Sequence, residues 1–244
     1  MSENKNYNRE QYVFLAKLYE KAEKYNDMFK FINKFIELDP KLTKDERNIL
    51  GAGYKNIVSD KRASWRLLNT MEKREEKRNP SQIPYIKEVK EIIEKELIQI
   101  CDEINKIIDK YLLPNAPDIE NKIFYLKIKG DFYRYKCEIL NGKDFEDTCS
   151  KAEKVYKEAL DIANKELPIS NSTRLGLALN YSVFYYEIKK SKDEAIIIAK
   201  NAFDESMKIL DDLEISKAKD TLLIIQLLKE NLISWCTEMN EEES

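Results

Sequence analysis

Residues Phe124 to Tyr135 read FYLKIKGDFYRY, and this run decides the fold. Lys127, Asp131, Arg134 and Tyr135 recur at helical spacing, so they share one stripe of an α-helix. Phe124, Leu126, Ile128, Phe132, Tyr133 and Cys137 fill most of the remaining circumference with apolar or aromatic groups. A helix apolar over so much of its surface is packed on several sides, so the polar stripe is expected to face an internal cleft. Lys122, Lys129 and Lys136 form a second stripe, which reads as a solvated outer face. The alternative for Lys127, Asp131 and Arg134 is a structural ion-pair network satisfied within the chain.

Three other segments repeat the pattern. Lys55, Ser59, Arg62 and Arg66 fall at i, i+4, i+7 and i+11. Gly176, Leu179, Asn180, Val183 and Glu187 form another stripe, and Leu223, Leu227, Asn231 and Ser234 a fourth. Two stripes carry cations and two combine apolar groups with amides, a set suited to lining a groove for an anionic, extended peptide. If Lys55, Arg62 and Arg134 converge, Asp131 neutralises only part of their charge. A phosphoserine supplies roughly −1.5 to −2 charges and three acceptor oxygens. Charge-assisted hydrogen bonds of about 1.5–3 kcal/mol each would make the phosphate decisive. Asn180 and Asn231 each offer a donor and an acceptor, and so suit a peptide backbone.

Composition agrees with helices. The chain has 244 residues, 36% charged and 43% hydrophobic, with only 5 Gly and 6 Pro. No Pro- or Gly-rich linker divides it, so one domain is expected over 1–236, followed by a disordered acidic tail over 237–244. Net charge is −3 with both signs interspersed, which favours neither nucleic acid nor membrane as partner. No apolar run approaches a membrane span. Histidine is absent altogether, which removes the commonest metal ligand and general base. Neither an enzyme nor a metal or other cofactor is therefore expected. Cys101, Cys137, Cys149 and Cys236 are scattered without a C-x-x-C pair and read as reduced core thiols.

Periodicity and caps predict an all-α chain. Two short helices occupy residues from about 9 to 38, the second stopped at Asp39-Pro40. Thr43 with Glu46 forms a capping box that opens a long helix to about Lys77. A further long helix follows Asn79–Pro84 and runs to about Leu113. Roughly five more are separated near Asn141-Gly142, Pro168–Asn171, Lys189–Ser191 and Ile215-Ser216, with Asp118, Ser191 and Ser216 as N-caps. The last is expected to end near Trp235 or Cys236. Ile36–Pro40 has the look of a tetratricopeptide-repeat end, but no 34-residue period recurs.

At these residues the chain resembles the 14-3-3 family along nearly its whole length. The resemblance is carried by ERNIL (46–50) with YKN (54–56), KRASWR (61–66), FYLKIKGDFYRY (124–135), RLGLALNYSVFYYEI (174–188), AFD (202–204) and QLLKENLISW (226–235). It implies nine antiparallel helices forming a cup-shaped homodimer with a phosphopeptide groove in each subunit. Arg clusters that read phosphorylated motifs are a recurring recognition mode, the 14-3-3 proteins among its examples. Implied phosphate ligands are Lys55, Arg62, Arg134 and Tyr135. Implied peptide contacts are Lys127, Asp131, Leu179, Asn180, Val183, Glu187, Ile224, Leu227, Asn231 and Trp235.

Departures from the family pattern concern specificity and dimerisation. Ser234 stands where the family has a leucine just before the final tryptophan. At the implied dimer contact Lys24 replaces an arginine opposite Glu96, and Asp27 is retained. Ile92 takes the place of the lysine partner of Asp27, and Val89 that of a tyrosine. Ser64 matches a family site whose phosphorylation weakens dimers, and it follows Lys61-Arg62; its alternative is an ordinary interface serine. The expected function is a non-enzymatic adaptor that binds phosphoserine or phosphothreonine motifs of client proteins, in the cytoplasm, with the nucleus as a further location. A phosphate-independent helical scaffold is the alternative. A terpenoid-synthase-like enzyme would need D-D-x-x-D motifs, and Asp211-Asp212-Leu213-Glu214 lacks the second half.

Overall fold

A computed structural model describes residues 6–209 and 219–242, and among them it holds nine α-helices and no strand. The expectations at Ser216, at the Ile215-Ser216 break, at Asp211–Glu214 and at Ser244 lie outside the described residues. The helices pack as two compact units, one ending at Ala116 and one beginning at Pro117.

In the first unit α1 (Arg9–Lys21) and α2 (Tyr25–Leu38) form a hairpin, followed by α3 (Lys44–Arg78) and α4 (Ile83–Ile107). The capping box of α3 forms as the sequence predicts: the Thr43 hydroxyl accepts from Glu46 N at 3.3 Å, and Glu46 Oε2 accepts from Thr43 N at 2.9 Å. Arg9 then grips Glu46 bidentately, at 2.6 and 3.0 Å, and ties the start of α1 to the start of α3. Met28, Ile32, Phe35, Leu50, Tyr54 and Val58 are fully buried between the helices. The Tyr54 hydroxyl is satisfied by Asn33 Oδ1 at 2.9 Å.

The second unit comprises α5 (Ile119–Cys137), α6 (Gly142–Glu166), α7 (Ser172–Phe184), α8 (Lys192–Met207) and α9 (Lys219–Glu242). Asp118 caps α5 by accepting from Asn121 N at 2.8 Å. Buried side chains lie all around α5, from Ile123 and Tyr125 to Phe132 and Tyr135, as its circumference predicts. Leu175, Ala195, Ala199, Ile225, Leu228 and Trp235 make the core that joins α7, α8 and α9.

Several boundaries differ from expectation. The helix expected to reach Leu113 is α-helical only to Ile107, and a π turn over Ile108–Leu112 completes it before Pro114. Ser191 occupies the N-cap position of α8, but its side chain makes no capping hydrogen bond; its N–H instead donates to Tyr185 O at 3.0 Å. Cys101, Cys137 and Cys149 are buried, whereas Cys236, also expected in the core, is exposed. Trp235 takes the inward position there, and the next residue on a helix is turned about 100° away. Helix α9 does not stop at Cys236; it continues to Glu242, so residues 237–242 of the expected disordered tail are helical. The segment has no Gly or Pro to end it, and the Thr237 hydroxyl donates to Ile233 O at 2.8 Å.

Candidate functional site

The decisive stripe of α5 forms a buried polar cluster within the second unit. Asp131 and Arg134 are each only 6% exposed. Asp131 is met from three helices. Lys127 Nζ, one turn back on α5, donates to Oδ2 at 3.0 Å. The Tyr156 hydroxyl, from α6, donates to Oδ1 at 2.5 Å. Asn180 Nδ2, from α7, reaches both oxygens at 2.8 and 2.9 Å. Arg134 Nη2 stands 3.7 Å from Oδ1, and its Nε donates to the Tyr156 hydroxyl at 3.4 Å. Its other guanidinium nitrogen, Nη1, lies 3.6 Å from Glu187 Oε2.

These contacts set the charges. Burial pushes the Asp131 carboxyl up, but the Lys127 and Arg134 cations and the Tyr156 hydroxyl outweigh it, leaving it below the ordinary carboxylate value. Burial and the Asp131 charge together raise the Tyr156 hydroxyl well above a normal phenol, so it stays a neutral donor. Arg134 stays charged. Two cations therefore share one fully ionised buried carboxylate, and Glu187 contributes only from the half-exposed edge.

The expected site residues divide by place. Asp131, expected as a peptide contact, is buried and holds Lys127, Arg134 and Asn180. It also turns the Asn180 amide nitrogen inward. Tyr135 is buried, with the Arg134 guanidinium 4.7 Å from its ring centroid. Leu179, Val183 and Ile224 pack against the α7–α9 core. Trp235 is buried and stacked on Tyr186 at 4.6 Å and 12°. Leu223, Leu227 and Ser234 are exposed, and Asn231 is half-buried. Gly176 leaves room beside Lys127 and Ile224: a Cβ there would meet each only at ordinary contact distance.

In the first unit Lys55 and Arg66 are exposed along α3 and Arg62 is half-buried, with the Ser59 hydroxyl turned back onto Lys55 O at 2.8 Å. Ser64 is exposed as well. Val89 and Ile92, implied in dimer contact, are 48% and 53% exposed. Lys24 is exposed, Asp27 pairs with Lys30 at 3.4 Å, and Glu96 pairs with Lys61 of the same chain.

Tyr156 escaped the sequence reading. Its position in α6 continues the apolar stripe of Cys149, Ala152 and Val155, so nothing in the spacing marks it as polar machinery. Only the tertiary fold brings its hydroxyl to Asp131.

A family model described as 14-3-3 protein matches residues 15–236 of this chain. The chain belongs to the 14-3-3 family. It is 45% identical over 245 residues to the 14-3-3-like protein GF14-E of Oryza sativa subsp. japonica, covering 99% of this chain and 94% of that protein. To the 14-3-3-like protein GF14 phi of Arabidopsis thaliana it is 46% identical over 237 residues, covering 96% and 89%. The 14-3-3 protein homolog of Trichoderma harzianum is 45% identical over 230 residues, with 94% and 88% covered. The helices described above are those of the all-α 14-3-3 fold, and the family is one of adaptor and regulatory proteins. Among the described residues no helix is long and apolar enough to cross a membrane.

Proposed function

We propose that this 14-3-3 protein is a non-enzymatic adaptor that binds phosphoserine or phosphothreonine motifs of client proteins, with Lys55, Arg62, Arg134 and Tyr135 as phosphate ligands. The observation that carries this reading is the buried Arg134 guanidinium, which with half-buried Lys127 meets the buried carboxylate of Asp131 and has Glu187 only at its half-exposed edge. Buried cations are costly to keep without an anionic partner, and here Lys127 and Arg134 share Asp131, with only the half-exposed Glu187 beside it. A phosphate brought to Arg134 supplies a further, doubly charged anion. Lys55 and Arg62 of α3 are assigned to the same phosphate on the strength of the family resemblance. Leu179, Val183, Leu227 and Asn231 are assigned to the client's backbone and flanking side chains, with the Asn180 carbonyl oxygen as an acceptor. The expected location is the cytoplasm.

A homodimer is part of the proposal, through Lys24, Asp27, Val89, Ile92 and Glu96. Exposed Val89 and Ile92 supply apolar surface, while Glu96 is occupied by Lys61 of its own chain. Apolar burial rather than ion pairing then holds the subunits. Ser64, exposed in the single chain and two residues after Arg62, is assigned as a regulatory phosphorylation site on this face.

Isothermal titration calorimetry with an Arg-Ser-x-phosphoserine-x-Pro peptide and its unphosphorylated twin tests the reading. Saturable binding of the phosphopeptide alone is expected. Equal heats for the two peptides, or none for either, would leave the cluster a purely structural ion-pair network.

A further inference from the structure

The turn between α5 and α6 carries the chain's one Asn-Gly pair, Asn141-Gly142. Among the described residues α1, α6 and α7 each begin after an Asn N-cap, and the three caps differ. Asn8 accepts from Gln11 N at 2.9 Å, within a full capping box. Asn171 accepts from Thr173 N at 2.9 Å and from Arg174 N at 3.1 Å. The Asn141 side chain makes no capping hydrogen bond, although the first turn of α6 leaves N–H groups to be satisfied there. Asn141 and Gly142 are both exposed.

An Asn side chain that is free in water and precedes glycine has a reaction open to it. The backbone nitrogen of the next residue can attack the side-chain amide carbon and close a five-membered ring. Glycine carries no side chain to shield that nitrogen. Gly142 lies at φ +57°, a conformation that glycine adopts at no steric cost, and a Cβ built there would meet nothing within 4 Å. Solvent therefore reaches the turn from the side where a side chain would stand. As the first residue of α6, Gly142 also has no intrahelical partner for its N–H. The nucleophile and the amide it would attack are both left unengaged by the helix.

We propose that Asn141 is a site of spontaneous deamidation in the native chain. Gly142 N gives up its proton and bonds to Asn141 Cγ, the Cγ–Nδ2 bond breaks, and ammonia leaves carrying that proton. Water then opens the succinimide at one of its two carbonyls, giving aspartate or isoaspartate. Either product adds one carboxylate and takes the formal net charge from −3 to −4. Aspartate places its charge at the positive end of the α6 dipole and supplies the missing cap. Isoaspartate instead routes the main chain through the side-chain carbon. The turn then gains a methylene and becomes a substrate for a carboxyl-methylating repair enzyme.

The test is incubation of the full chain at mildly alkaline pH, folded and in urea. Peptide mapping by mass spectrometry and enzymatic methylation of isoaspartate read the products. One net hydrogen bond corresponds to roughly tenfold in rate. With none on its side chain, folded Asn141 is expected to convert within about tenfold of its rate in urea. Folded Asn171, held by two, is expected to lag its own rate in urea by about a hundredfold or more. N141S is expected to abolish the methylated peptide. No conversion of folded Asn141 over a period in which the chain in urea converts fully overturns the proposal. Methylation that N141S leaves unchanged overturns it too, as does folded Asn171 converting as fast as folded Asn141.

Discussion

Asp131 is the residue on which the second unit's polar cluster turns, because it answers Lys127, Tyr156, Asn180 and Arg134 together. Asp131→Ala removes the only carboxylate buried among these groups and leaves two cations behind. A loss of about 3–5 kcal/mol is expected by urea denaturation, the range for breaking one side of a buried pair. Tyr156→Phe removes one donor and keeps the charges, so a smaller loss of about 1–3 kcal/mol is expected. Equal costs for the two variants would mean that the ion pairs contribute nothing beyond one hydrogen bond. The pH dependence follows from the direction of the Asp131 shift. Its folded value is below its unfolded one, so its contribution is complete above the unfolded value of about 3.9 and is lost as pH falls through the folded value. Glu46, also held low against burial by Arg9 and Thr43, acts in the same sense. Urea midpoints are therefore expected to be level from neutral pH down to about pH 5 and to fall below about pH 4. A midpoint that rises on acidification would contradict this.

At the scale of the helix, the two glycines closest to neighbouring side chains separate packing from propensity. A Cβ on Gly130 of α5 would stand 2.7–2.9 Å from three ring atoms of Tyr156, a buried ring that also holds Asp131. Gly130→Ala gains about 1 kcal/mol of helix propensity but displaces that ring, so a net loss of about 1–3 kcal/mol is expected. A Cβ on Gly53 of α3 would meet only the ends of flexible chains, Ile32 Cδ1 at 2.4 Å and Met28 Cε at 3.0 Å. Those ends can rotate away, and Gly53→Ala is expected to stay within about 1 kcal/mol of wild type. Melting temperatures of the pair check both statements. The elements themselves were largely legible in the sequence. Thr43 with Glu46, Asp118 and the breaks at Pro40, Asn141-Gly142 and Pro168 are local signals, and local signals survive folding. The extension of α9 was hidden, because acidic residues read equally as a solvated helix or as a tail. The stripe of Lys127, Asp131 and Arg134 and the separate stripe that holds Asn180 were visible by spacing, but their division of labour was not. Whether a carboxylate meets a ligand or anchors its neighbours depends on what the other helices present to it, here Tyr156 and Asn180. The Tyr186–Trp235 stack and the hydrogen bond from Tyr186 to Glu238 likewise join residues far apart in sequence.

At the scale of the whole molecule two properties follow from the proposal. The dimer draws on Val89 and Ile92, and Glu96 is paired within its own chain, so association is expected to change little with ionic strength. Sedimentation equilibrium at low and high salt checks this; a dimer that dissociates on adding salt would show that ion pairs between subunits hold it. Ile92→Glu is expected to shift the equilibrium to monomer, since it places a charge in apolar contact. Phosphopeptide affinity is expected to weaken as pH falls below about 6, where the phosphate loses its second charge, although Asp131 stays ionised there. The most direct test is competition between three peptides of one sequence that carry phosphoserine, glutamate or serine at the central position, read by anisotropy. Tight binding of the phosphoserine peptide, with the glutamate and serine peptides both far weaker, is the expected result. A glutamate peptide that competes as well as the phosphopeptide would show that the cationic set needs only one negative charge, and the phosphate requirement would be wrong.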